Sequence, residues 1–240
     1  MRLGVIADIH SNLLALEAVL EALDAAKVDF IVDLGDVAQG VFEPAKVLDT
    51  LEARSIRGVL GNMDRVFLEP AIPGQFVFER SQLTQAHLNV LQARQTTLEV
   101  GDVFCCHGTP ASDTESLLER ITLDGVFLEH DTSIEAKLSK VTASLVLCGH
   151  SHVARTVQLS SGKLVVNPGS VGLPAYDHDD PMPHRMESGS PHARCAIVSK
   201  RARGWQVEHL AVPYDWHIAA NIARVVGRPD WARWLETGRA

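Results

Sequence analysis

No apolar run in these 240 residues approaches the ~20 that a membrane-spanning helix requires. A transmembrane helical protein is therefore excluded. The 22 lysines and arginines form no dense cluster, and 30 acidic residues leave a formal net charge of −8. Sequence-independent binding of duplex nucleic acid needs a basic face, so that partner is not expected. The four cysteines (Cys105, Cys106, Cys148, Cys195) show no disulfide spacing. They read as small buried apolar residues of a reducing cytoplasm. Met1-Arg2-Leu3 runs straight into apolar residues without a secretory leader pattern, so a cytoplasmic location is expected. What the chain does have is 46% apolar residues, enough to bury a large core and to exclude extensive disorder.

The first sixty residues read βαβαβ. Leu13 to Ala26 places Leu13, Leu16, Leu20 and Leu23 at helical spacing behind Ser11 or Asn12 as cap. Pro44 suits the first helical position of Ala45 to Arg54. Alternating strands and helices predict parallel pairing with right-handed crossovers. Further on, a helix is expected near Gln82 to Gln95, then strands Thr97 to Val100 and Asp102 to Cys106. Ser112 to Lys140 reads as mostly helical, with a break near Gly125. Two hairpins follow, Arg155 to Val166 and Ala193 to Val212. Helices near Trp216 to Val226 and Pro229 to Leu235 close the chain. Asp177 to His192 is rich in proline, histidine and acid, and is read as a surface loop: either solvated or a flap over a site. With no repeat and no long linker, one domain is expected over 1–240, with the loop at 177–192 and a C-terminal hairpin and helices at 193–240.

Five apolar runs end in polar residues with glycine close by. They are Leu3 to Ala7 before Asp8-Ile9-His10, and Phe30 to Leu34 before Gly35-Asp36. Next come Ile56 to Leu60 before Gly61-Asn62, and Val103 to Cys106 before His107-Gly108. The last is Leu145 to Cys148 before Gly149-His150-Ser151-His152. In an open α/β sheet, ligands gather beyond the carboxyl ends of the strands. Carboxylate, amide oxygen and imidazole together suit one or two divalent metals, which do hydrolytic chemistry. An acidic chain can then hold a phosphate ester, because the metals supply local positive charge. Taken singly, each residue has an ordinary reading, His10 as a solvated loop residue and Asp36 as a turn cap. Residues i and i+2 of an extended segment point the same way, which would let His150 and His152, or Asp8 and His10, reach adjacent ions.

This ordered series, with Asn167-Pro168-Gly169-Ser170 and the opening Ile6 to Asn12, resembles the calcineurin-like metallophosphoesterases, and within them the compact bacterial and archaeal phosphodiesterase branch. The resemblance spans roughly residues 1–172. It implies an α/β fold (α+β in some schemes), a four-layer αββα sandwich of two mixed sheets flanked by helices. It also implies two divalent metal ions, Mn²⁺ foremost and Fe²⁺, Ni²⁺, Co²⁺ or Zn²⁺ as alternatives. Asp8, His10 and His152 would hold one ion, Asn62, His107 and His150 the other, and Asp36 would bridge them. Asp36, Asn62 and His107 are the residues expected closest to the chemistry, attack on phosphorus by a metal-bridging hydroxide. Asn12, then Arg65, and distantly Arg185 are the expected phosphate-holding residues.

The expected activity is that of a phosphodiesterase acting on a small phosphate ester or nucleotide. A dinucleoside polyphosphate hydrolase is the alternative, and a non-catalytic scaffold of the same fold, as in a retromer subunit, a third reading. Many members of the family carry a histidine where Met63 stands, and methionine has no proton to give a leaving group. His178, His184 and His192 are read as solvated or as contributing to a third metal or to substrate. His87, His130, His209 and His217 are read as surface or partly packed residues.

Overall fold

A computed structural model describes residues 1–240. The strands are β1 (Arg2–Ile6), β2 (Phe30–Asp33), β3 (Arg57–Gly58), β4 (Thr97–Val100), β5 (Val103–Cys106), β6 (Glu119–Thr122), β7 (Gly125–Leu128), β8 (Leu145–Leu147), β9 (Arg155–Gln158), β10 (Leu164–Asn167), β11 (Ala175–His178), β12 (His184–Glu187), β13 (Ala193–Arg201) and β14 (Gly204–Val212). The helices are α1 (Leu13–Ala25), α2 (Pro44–Ala53), α3 (Asn62–Arg65), α4 (Val77–Gln82), α5 (Gln85–Ala93), α6 (Asp131–Lys137), α7 (Trp216–Val225) and α8 (Pro229–Thr237).

Two five-stranded sheets run β14-β13-β1-β2-β3 and β4-β5-β8-β10-β9. Both are mixed. The pairs β1–β2, β2–β3, β5–β8 and β8–β10 are parallel, and the other pairs are antiparallel. Strand side chains alternate between faces, and the cores follow that period of two. Leu3 and Val5 of β1, Cys105 of β5 and Leu147 of β8 meet between the sheets. Ile6 of β1 and Ile197 of β13 face the other way, onto Leu16, Val19 and Leu23 of α1 and Val47 and Leu51 of α2. Phe104 and Val146 face outward from the second sheet onto Leu118 and onto Ile134 of α6. The order helix, sheet, sheet, helix is the expected sandwich, with a thin outer layer over the second sheet. A fourth cluster joins α7 and α8 to Phe42, Leu173 and Ala175.

Asn12 caps α1, its side chain accepting from Ala15 N at 3.2 Å, and Pro44 opens α2. Three sequence expectations are corrected. The helix expected near 82–95 begins at Gln85, because Thr84 caps a new helix by accepting from His87 N. The stretch 112–140 is not mostly helical: β6 and β7 form an antiparallel hairpin, and only α6 is helical. The turn decides it. Gly125 takes φ +128, Thr122 Oγ1 donates to Gly125 O at 3.1 Å, and Ile121 pairs with Val126. Segment 177–192 is not wholly loop either. β11 and β12 pair from Ala175↔Glu187 to His178↔His184, and β12 lies against β7. The buried Ala175 and Met186 anchor this hairpin, too few apolar residues to show as a strand signal.

Candidate metal centre

Parallel strands of both sheets point their carboxyl ends to one edge, and the turns beyond β1, β2, β3, β5 and β8 carry Asp8 and His10, Asp36, Asn62, His107, and His150 and His152. The turns are not extended. Asp8, His10, Asp36, His150 and His152 have φ of 55, 47, 56, 69 and 60°. Non-glycine residues in this left-handed region cost about 1–3 kcal/mol each and persist where the surroundings over-determine them. Alternation along an extended segment is therefore not what aligns these side chains. The first two ligand-bearing turns are laced to each other, Asp8 N donating to Gly35 O (3.0 Å) and His10 N to Asp36 O (3.0 Å). Glycine's role is close approach: a Cβ on Gly35 would lie 2.6 Å from Gly61 N and 3.1 Å from His107 Nδ1. Asp64 clips the same turns together, accepting from Val37 N (2.9 Å), Ala38 N (3.0 Å) and Gly61 N (3.4 Å).

The structure brings all seven expected side chains together. Asp8, His10 and His152 form one cluster of donor atoms and Asp8, Asp36 and His107 another, each within 4.8 Å. Asn62 Oδ1 lies 2.9 Å from His107 Nε2 and 3.1 Å from His150 Nδ1. The carboxylate common to the two clusters is Asp8. Asp36 accepts Met63 N–H on Oδ1 at 2.8 Å, and its Oδ2 lies 3.3 Å from His107 Nε2.

Every imidazole is anchored at one nitrogen. His107 Nδ1 lies 2.7 Å from Leu34 O, His152 Nδ1 2.7 Å from Leu173 O, and His150 Nε2 3.0 Å from Thr114 O. A carbonyl only accepts, so the anchored nitrogen carries the proton and the other nitrogen of a neutral ring presents a lone pair. His10 is held the same way by Gln39, with Nδ1 2.9 Å from Oε1 and 3.2 Å from the backbone carbonyl. His10 Nε2 and His152 Nε2 then face each other at 3.1 Å, two lone pairs with no proton between them. Asp8 Oδ2 is buried without a partner. Converging lone pairs on buried nitrogen and oxygen are relieved by a cation, so these residues fit divalent metal ions.

The charge balance agrees. Burial holds His10 and His152 below the ordinary histidine range and pushes His150 down to about 4. Burial also raises the Asp8 carboxyl. For His107, burial opposes the charged form, but Asp36 outweighs it and carries the ring up to about 10. For Asp36, burial opposes ionisation, and His107 outweighs it and holds the carboxyl below the usual range. One imidazolium thus occupies the metal-free centre. Raised above its ordinary 6.5, His107 stabilises the metal-free fold below that pH and ceases to as pH climbs through about 10. A metal ion must displace this proton. The Asp8 carboxyl, raised by burial, can release a proton too, so affinity for Mn²⁺ is expected to rise at least about tenfold per pH unit between pH 7 and 9. Calorimetry in two buffers of different ionisation enthalpy should count at least about one proton released at pH 7.5. A count of zero contradicts the assignment.

The centre opens into a cavity of ≈ 620 Å³ lined on one side by Met63 and Tyr176 and on others by Glu119, Arg120, Lys137 and Trp231. Tyr176 packs edge-on against His152 (4.7 Å between centroids), and its hydroxyl donates to His150 O at 3.3 Å. All three expected phosphate-holding residues lie outside its lining. Asn12 is fully buried, its Nδ2 donating to Gly172 O (3.0 Å) and Tyr214 Oη (3.4 Å) while Oδ1 caps α1, so nothing remains for a ligand. Arg65 is turned to the surface and paired with Asp113 (2.6 Å) and Glu69. Arg185 lines a separate groove between the β6–β7 and β11–β12 hairpins. His178 and His184 reach the cavity rim, whereas His192 stacks on Trp216 at 5.3 Å. Sequence reading missed Gln39, Tyr176 and the carbonyls that orient the imidazoles. Gln39 follows Asp36 by three residues, the only sequence signal any of them carries.

Comparison with known proteins gives this edge of the fold its context. Among solved structures, a metallophosphoesterase from Sphaerobacter thermophilus superposes with a TM-score of 0.75 at 24% identity, covering 99% of both chains. A protein provisionally assigned as a diadenosine tetraphosphatase superposes with a TM-score of 0.55 at 14% identity, over 88% of this chain and 94% of that one. No curated protein matches the sequence. The sequence model of the calcineurin-like phosphoesterase superfamily domain matches residues 1–182, the span that holds all seven converging side chains. The chain belongs to the calcineurin-like phosphoesterase superfamily.

Proposed function

We propose that the protein is a two-metal phosphodiesterase. The observation that carries this reading is the set of four imidazoles, each tethered at one nitrogen, whose other nitrogens converge with the Asp8 and Asp36 carboxylates and the Asn62 amide oxygen on a cavity floor. Asp8, His10 and His152 would hold one cation and Asn62, His107 and His150 the other, with Asp36 as the carboxylate they would share. Divalent ions held there would lower the pKa of water toward neutrality and offset phosphoryl charge. The donor set has nitrogen and oxygen but no thiolate, which admits Mn²⁺, Fe²⁺, Co²⁺, Ni²⁺ or Zn²⁺, and we take Mn²⁺ as the working ion. Four buried free thiols suit a reducing, cytoplasmic setting.

The chain's own residues do the positioning. Gln39, Leu34 O, Leu173 O and Thr114 O fix ring orientation, and Asp64 fixes the Asp36 turn against the Asn62 turn. The Tyr176 hydroxyl, which burial keeps protonated, donates to His150 O and steadies that turn at the cavity wall. Met63 lines the cavity and offers no proton, which favours leaving groups that depart unassisted: aryl esters, or phosphoanhydrides as in a dinucleoside polyphosphate. Scaffolding without catalysis is disfavoured by the completeness of the donor set.

The test is hydrolysis of bis-p-nitrophenyl phosphate by the Mn²⁺-loaded protein. Turnover abolished by chelation and restored by Mn²⁺ supports the reading. No turnover with any of the five ions, or turnover indifferent to chelator, contradicts it.

A further inference from the structure

The cavity is larger than a metal pair and one phosphoryl group require, and its charged wall is almost wholly self-neutralised. Lys137 is shared by Glu115 (3.0 Å) and Glu129 (3.8 Å) and donates to Ser116 O (3.2 Å). Glu119 is held by Arg155 at 3.1 Å, and Arg228 by Asp230 at 2.6 Å. Arg120 is different. It lines the same cavity from β6, and no carboxylate comes within the 4.0 Å of an ion pair. Its Nε is buried without any partner. The guanidinium lies over Phe127, directly across the hairpin, with Cζ 5.6 Å from the ring centroid, and no protein acceptor takes any of its N–H groups. The unpaired acids of the cavity mouth, Asp177 and Asp180, are exposed, where water and salt screen them.

A half-buried guanidinium with unspent donors is a seat for an anion, and its planar fork matches phosphate. We propose that Arg120 is a second phosphate-binding position, which would receive an ionised phosphoryl group attached to the one under attack. Resting on the phosphodiesterase reading, this narrows the substrate to phosphoanhydrides or to esters whose leaving group is itself phosphorylated. Phe127 and Arg120 lie on a hairpin that helical spacing alone would have concealed. For a phosphoanhydride the assignment also gives Met63 a rationale, since an ionised phosphate leaves without needing a proton.

The test compares AMP with ADP, one phosphate against two, as calorimetric ligands of the Mn²⁺-loaded protein at fixed free Mn²⁺. Wild type is expected to bind ADP at least about tenfold more tightly than AMP, the usual worth of a charge-assisted contact. Arg120→Gln should bring the two affinities within about threefold, and Arg120→Lys should recover part of the gap. Equal ADP-to-AMP ratios in wild type and Arg120→Gln overturn the proposal, whether both affinities fall together or neither moves. Bis-p-nitrophenyl phosphate carries no second phosphate, so its turnover by wild type reports on the phosphodiesterase reading separately. Loss of that turnover with the ADP preference intact would sink the activity and spare the subsite.

Discussion

Replacing Asp36 with alanine is expected to lower phosphodiester turnover by about 10³-fold or more, because on the proposed reading it removes the carboxylate that would stand between the two ions. The structure ties this carboxylate into the centre from two sides, through Met63 N at 2.8 Å and His107 Nε2 at 3.3 Å. Asp36→Asn keeps the shape and removes the charge, and should lose nearly as much. It carries a second readout. Without Asp36, burial is left to act on His107, so its pKa should fall from about 10 toward or below the ordinary histidine value. NMR titration of the metal-free variant measures that fall independently of activity. Full turnover in either variant, with His107 still charged above pH 8, would refute the role given to Asp36.

Met63→His is expected to change selectivity more than rate. A histidine at this point of the cavity wall could protonate a departing alkoxide, an effect typically worth ~10² to 10⁴-fold where the leaving group needs a proton. Turnover of alkyl diesters should therefore rise at least about tenfold relative to aryl diesters, which leave without assistance. The measurement is the ratio of kcat/KM for dimethyl phosphate, a dialkyl diester, to that for bis-p-nitrophenyl phosphate. An unchanged ratio in a variant that folds and binds metal would show that Met63 does not set leaving-group preference.

Most of the centre was legible because its chemistry is local: an apolar run stops, and a carboxylate, amide or imidazole follows beside glycine. The two sheets were legible for a related reason, since buried parallel strands read as unbroken apolar runs. What escaped is of three kinds. The left-handed conformations of Asp8, His10, Asp36, His150 and His152 leave no trace in residue type, because long-range pairing such as His10 N to Asp36 O imposes them. The β6–β7 hairpin was masked by apolar residues whose spacing also fits a helix, and Asp124-Gly125 decided against it. The β11–β12 hairpin holds on through Ala175 and Met186 alone, below any periodic signal. Misplacing Asn12 and Arg65 came from proximity in sequence: both adjoin ligand turns, yet one side chain is spent inside the fold and the other on surface acids. Tyr176 and Arg120, which line the cavity beside the ligand turns, come from the segments read least well.

Counting metal ions tests the account most directly. Metal-stripped protein titrated with Mn²⁺ by equilibrium dialysis should bind two ions per chain, with turnover appearing as the second site fills, and Asp36→Asn should bind at most one tightly. A wild-type protein that binds none, or that hydrolyses diesters at full rate with none bound, contradicts it.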